Sequence, residues 1–183
     1  MRQNFYHFAI SALLYWLVAT YAGLILVMPE KIVTVAVFLP PILGLLWGPV
    51  AAAGVYVGGI FSAPEIFLIG FEFNDFLQLI FKSLWIFFAG YLPYLILKKL
   101  NVDSDEKSPP LNVDTLRKFL IVFFVTFFAT SIFKALTATD TELAAVTDWF
   151  FEERKATIPI YFLACFANDF VIAVFLDLAW FFF

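Results

Sequence analysis

Asp75, Gln78 and Lys82 stand at i, i+3 and i+7 of one apolar segment, which puts them on one face of a helix. At 1.5 Å per residue, Lys82 lies about two turns deeper than Asp75. Two later apolar segments carry Lys134 and the adjacent Asn168 and Asp169. A carboxylate or ammonium inside an apolar segment costs about 2.5–3.5 kcal/mol on insertion scales, so it faces a partner or a water-filled cavity. Two arrangements follow. Asp169 pairs with Lys82 or Lys134, or it holds the ammonium of a ligand while a lysine holds the ligand's carboxylate. Asp75 and Lys82 pose the same choice, a pocket with an outer mouth or a pair along one helical face. Lys134, about one turn from the end of its segment, also suits a side chain that snorkels outward. Asp177 lies near the other end, where it meets water. Trp85, Tyr91, Tyr56 and Tyr161 are candidate aromatic walls. The guest that fits both signs of charge is a small zwitterion or a polar vitamin-like molecule.

Other chemistries have no residues to carry them. The single cysteine, Cys165, permits no disulfide within the chain and no cysteine-based metal site. The single histidine, His7, opens the first apolar segment and reads as an interfacial residue. No phosphate-binding loop, nucleophile elbow or His-Glu-x-x-His helix occurs. The expectation is a chain that is not itself an enzyme, with no cofactor and no metal. Basic residues are few and do not alternate with aromatics on a polar face, so nucleic acid is not the expected partner.

The segments that position these residues are apolar on all sides. The 183 residues are 63% hydrophobic and 14% charged, with 26 phenylalanines, and the mean hydropathy is +0.94. That balance belongs to a polytopic integral membrane protein. A barrel strand alternates apolar and polar residues, which these runs do not, so the expected class is all-α. Six transmembrane helices are expected, at about 5–28, 32–46, 49–69, 75–97, 117–138 and 157–183. Pro40-Pro41 interrupts the second, and Gly48-Pro49 makes the turn into the third. A further amphipathic piece at 141–153 is expected at the interface. The first segment is too long for a cleaved leader and lacks a convincing small-residue site. Gly44-x-x-x-Gly48, Gly54-x-x-x-Gly58 and Ala19-x-x-x-Gly23 allow close helix packing.

Loop charges give the orientation. Arg2, Lys98, Lys99, Lys107, Arg117 and Lys118 fall on one side, against Lys31, Arg154 and Lys155 on the other. Glu65, Glu72, Asp75, Asp140, Glu142, Asp148, Glu152 and Glu153 make that second side acidic. Both termini and the 98–116 loop are therefore expected in the cytoplasm. All 183 residues form one membrane domain. The ending Trp180-Phe181-Phe182-Phe183 lacks basic anchors, which suits a chain that continues into a cytoplasmic output domain.

The run Leu39-Pro40-Pro41-Ile42-Leu43-Gly44-Leu45-Leu46-Trp47-Gly48-Pro49, followed by Gly54 and Gly58, resembles the second and third helices of S components of energy-coupling-factor vitamin transporters. Together with Gly90-Tyr91-Leu92-Pro93-Tyr94 it resembles still more the vitamin-uptake-like sensor domains of bacterial signalling phosphatases. The resemblance implies an S-component-like bundle in a bacterial cytoplasmic membrane that captures a small molecule from the outer side. In a sensor the occupied helices bias a fused or associated cytoplasmic phosphatase or cyclase, and a homodimer would suit signal transfer. In a transporter an ATPase module drives uptake. The small-residue coupling face expected on the first helix is present only as Ala19-x-x-x-Gly23, which favours the sensor. The ligand-contact residues expected on this reading are Asp75, Gln78, Lys82, Trp85, Lys134, Asn168 and Asp169.

Overall fold

The computed structural model describes residues 2–25, 35–63, 72–100, 113–138 and 157–182, and all their regular structure is helical. In chain order these are α1 (Arg2–Ile25), a short 3-10 helix (Val35–Phe38), α2 (Leu39–Trp47), α3 (Pro49–Ser62), α4 (Phe73–Lys82), α5 (Leu84–Lys99), α6 (Val113–Leu136) and α7 (Ile158–Phe182). Among the described residues three stretches are long and apolar enough to cross a membrane: Phe73–Lys99, Leu116–Leu136 and Ile158–Leu176. The amphipathic piece at 141–153 and most of the 98–116 loop lie outside the described residues, as do Lys31, Glu65, Arg154 and Lys155. So does the side chain of Asp177.

Pro40 and Pro41 do not break a helix; they begin one. They occupy the first turn of α2, where a missing N–H removes no intrahelical bond, and the chain enters through the 3-10 turn. Gly48 then separates α2 from α3 at φ 68°, a left-handed conformation that favours glycine, with Pro49 opening α3. The fourth expected span is divided at Ser83, so α4 and α5 are consecutive helices rather than one rod. Tyr56 of α3 donates to the Ile80 carbonyl at 2.9 Å beside that division. This contact ties α4 to the bundle and takes Tyr56 away from the role of a binding wall.

Small residues set the helix contacts. A side chain at Gly54 would meet the Phe8 carbonyl and Ser11, and one at Gly58 would meet the Ala12 carbonyl, so α1 lies directly on the α3 backbone. A side chain at Gly44 would meet the Gly90 carbonyl, so α2 lies as closely on α5. Between apolar helices in lipid the gain comes from close contact rather than from escaping water, and small residues permit that contact. Gly48 serves the turn instead, against the Tyr94 ring.

Helix α5 is central, packing on α2, α3 and α6, while α6 packs on α7. Phe124 meets Phe166 and Phe170, and Phe128 meets Phe162 and Phe166. Ascending positions on α6 meet descending positions on α7, so the two helices are antiparallel. Trp85 packs against both main core clusters, one around Phe123 and Phe127, the other around Tyr15 and Val55.

Candidate functional site

The antiparallel α6–α7 pair explains how two charged side chains meet. Every side chain on a helix leans toward the N-terminus of that helix. Lys134, two residues before the end of α6, leans back into the bundle. Asp169, about three turns into α7, leans the opposite way in space. The two therefore approach each other, and Lys134 Nζ donates to Asp169 Oδ2 at 2.5 Å. Lys134 does not snorkel outward; its ammonium points inward.

The pair is buried, with 12% of the Lys134 side chain and 1% of Asp169 exposed, which takes it out of the regime where ion pairs are screened by water. The second carboxylate oxygen, Oδ1, accepts from Asn168 Nδ2 at 3.1 Å. Trp85 supplies a third element: Lys134 Nζ lies 3.6 Å from the centre of its ring. A cation over an indole face is stabilised by about 2 kcal/mol or more once water is excluded. Trp85, Lys134, Asn168 and Asp169 are thus one centre drawn from α5, α6 and α7. Tyr15 of α1 is also buried, in the core cluster that Trp85 packs against.

The remaining expected residues lie elsewhere. Asp75 is a helix cap: its Oδ2 accepts from the Glu72 N–H at 3.0 Å, and the Glu72 side chain accepts from the Asp75 N–H. This reciprocal box satisfies donors that the first turn of α4 would otherwise leave open. Among the described residues Asp75 joins neither Lys82 nor the buried pair. Gln78 and Lys82 line an open groove of about 530 Å³ with Asn74, Leu77, Phe81 and Thr137. Tyr91 stacks with Phe87 and Tyr94, and Tyr161 is buried beside Ala135 and Cys165, so neither walls this groove. His7 stacks on Trp47 at 4.8 Å.

The seven expected contacts therefore separate into a cap, an open groove and a buried charge centre. Groove and centre are adjacent along two helices. Thr137 is three residues from Lys134 and donates to its carbonyl at 3.3 Å. Lys82 is three residues from Trp85, across the Ser83 division. Asn74 and Thr137 are groove residues outside the expected set: Asn74 stands at i, i+4 and i+8 with Gln78 and Lys82, a spacing that could have found it, and Thr137 lies just past the last residue of α6. Thr126 and Ser131, on the same helix as Lys134, are buried with no hydrogen-bond partner among the described residues. Among those residues no cluster of His, Cys, Asp or Glu could hold a metal ion.

Compared with protein-family models, curated proteins and solved structures, the chain matches none.

Proposed function

We propose that the chain is a six-pass membrane domain that binds a small extracellular molecule, of amino-acid or vitamin-like size, and signals its occupancy to a cytoplasmic output domain. The observation that carries this reading is the groove beside α4. Its 530 Å³ suits a small molecule, and its lining mixes an ammonium, two amides and a hydroxyl with the apolar Leu77 and Phe81. Its residues Thr137 and Lys82 lie about one helical turn along the chain from Lys134 and Trp85, so binding there would be felt as a bias on the buried charge pair. Such a bias requires the ligand to prefer one helix arrangement over the other. The exposed phenylalanines of α6 and α7, among them Phe124, Phe128 and Phe175, suit contact with lipid.

The resemblance to vitamin-uptake-like sensors supports the same reading, because its two segments pack on each other where Gly44 meets Gly90. Those same segments also favour the transport subunit as the second reading. Co-purification with ATPase partners would select transport, and a phosphatase or cyclase downstream in the reading frame would select sensing.

The test is the thermal stability of the purified chain against a panel of amino acids and vitamins. A ligand at 100 times its dissociation constant adds about 2.7 kcal/mol, a clear shift. The reading requires at least one compound that stabilises the wild type and does not stabilise Gln78→Ala or Lys82→Met. A panel without effect on the wild type refutes it.

A further inference from the structure

We propose that Trp85 and Asp169 form a cage for a primary ammonium group, that Lys134 fills this cage in the resting state as a tethered occupant, and that a ligand's amine displaces it. The proposal rests on the ligand-binding reading of the adjacent groove and assigns the chemical class of that ligand.

The geometry is that of a receptor for a cation. The Lys134 ammonium lies 3.6 Å over the Trp85 ring and 2.5 Å from Asp169 Oδ2. The carboxylate is held in place from its far side by Asn168, at 3.1 Å to Oδ1. An aromatic face and a fixed carboxylate, closed off from water, are what hold an alkylammonium in a binding site. They do not depend on the ammonium being covalently attached.

The path of Lys134 supports an exchangeable occupant. Its backbone is two residues from the end of α6, where the shorter route for a flexible lysine is outward to water. It reaches inward instead, so the cage outcompetes hydration. Released, the same side chain needs only to reverse along its own helix, toward Thr137 and the groove. Trp85, Lys134 and Asp169 do not line the groove, but Lys82 precedes Trp85 by three residues, so an amine entering from the groove would have about one helical turn to cross. An amine whose body also carries a carboxylate would place that group among the donors of Asn74, Gln78 and Lys82, beside Thr137, whose own hydroxyl donates to the Phe133 and Lys134 carbonyls.

A tethered occupant weakens an external one by the fraction of time the cage is open. For an open state populated at about 1–10%, removing the tether tightens binding about 10- to 100-fold. The probe is n-butylammonium chloride, with n-butanol and sodium butyrate as controls of equal length. Thermal unfolding and tryptophan emission are followed for the full chain in detergent. Lys134→Ala should be stabilised by butylammonium at concentrations about tenfold or more below those needed for the wild type, with the summed emission of the five tryptophans returning toward the wild-type spectrum, a return that is lost when Trp85→Phe is added. Asp169→Asn should not respond, and the controls should leave Lys134→Ala unchanged.

If Lys134→Ala is not recovered folded, Lys134→Gln and purification in the presence of butylammonium take its place, and rescue of folded protein by the amine alone supports the cage. Equal response to amine, alcohol and butyrate, or no response in any Lys134 variant, overturns it. The two readings fail differently. A panel compound that binds the wild type through Gln78 and Lys82, with no amine response in the Lys134 variants, removes the cage and leaves the groove. No response to either removes both.

Discussion

Replacing Lys134 by Met, Asp169 by Leu, and then both together gives a cycle whose outcome the burial of the pair fixes. With 12% and 1% of the two side chains exposed, each single replacement strands an uncompensated charge in the interior. That costs about 3–5 kcal/mol. Lys134→Met also loses the contact with Trp85, about 2 kcal/mol more for a desolvated cation over an indole. The double variant strands no charge, leaving only the half-buried Asn168 amide without its Asp169 acceptor, and Met and Leu suit the phenylalanine-rich surroundings. Replacing a buried pair by apolar residues is neutral or stabilising by about 1–4 kcal/mol. The double variant is therefore expected within about 1 kcal/mol of the wild type, well above either single, with a coupling energy of at least about 7 kcal/mol on these values. Equilibrium unfolding in mixed micelles, followed by far-UV circular dichroism, measures all four corners. A double variant as unstable as the sum of the singles would refute the reasoning, because the two charges would then be held by separate surroundings.

Three further outcomes follow from particular contacts. Asp75→Ala should destabilise the first turn of α4 by about 1 kcal/mol, seen as faster amide exchange there, with the thermal midpoint of the bundle little changed. Gly44→Val should sharply reduce the yield of folded protein, since its side chain would meet the Gly90 carbonyl; Gly48→Ala, strained by its φ of 68° and set 3.3 Å from the Tyr94 ring, should cost about 1–3 kcal/mol by thermal unfolding. In a Cys165→Ser background, a cysteine replacing Asn74 should react with an impermeant maleimide added outside intact cells and one replacing Lys99 should not; the reverse pattern overturns the proposed orientation.

The helical class was legible in the sequence because apolar runs without alternation have few alternatives. The close contacts at Gly44, Gly54 and Gly58 follow from spacing, though not their partners: nothing in the chain pairs Gly44 with Gly90 rather than with another helix. The division at Ser83 was hidden because the surrounding residues suit one continuous helix as well as two. Asp75 was misplaced for a different reason. Its periodicity with Gln78 and Lys82 is genuine, but it sits three residues after Glu72, and at a helix start the backbone claims the carboxylate first. A helical face found by spacing does not reveal that its first member is already bonded. Most of the loop charges that orient the chain fall outside the described residues, so that orientation stands on the sequence.

The choice of Lys134 over Lys82 as the partner of Asp169 shows what topology adds to spacing. Both lysines stand on apolar helices, and both are long enough to reach a carboxylate one helix away. The Phe124–Phe170 and Phe128–Phe166 contacts make α6 and α7 antiparallel, so the lean of each side chain toward its own N-terminus carries Lys134 and Asp169 together. Lys82 instead ends α4, at the Ser83 division, where it borders the groove. The arrangement thus holds one ammonium inside against Trp85 and another at the groove, with Thr137 and the Lys82–Trp85 step linking the two. On the proposed reading, a molecule in the groove would meet residues bonded to, or one turn from, the buried pair, and binding there would alter the pair without crossing the bundle.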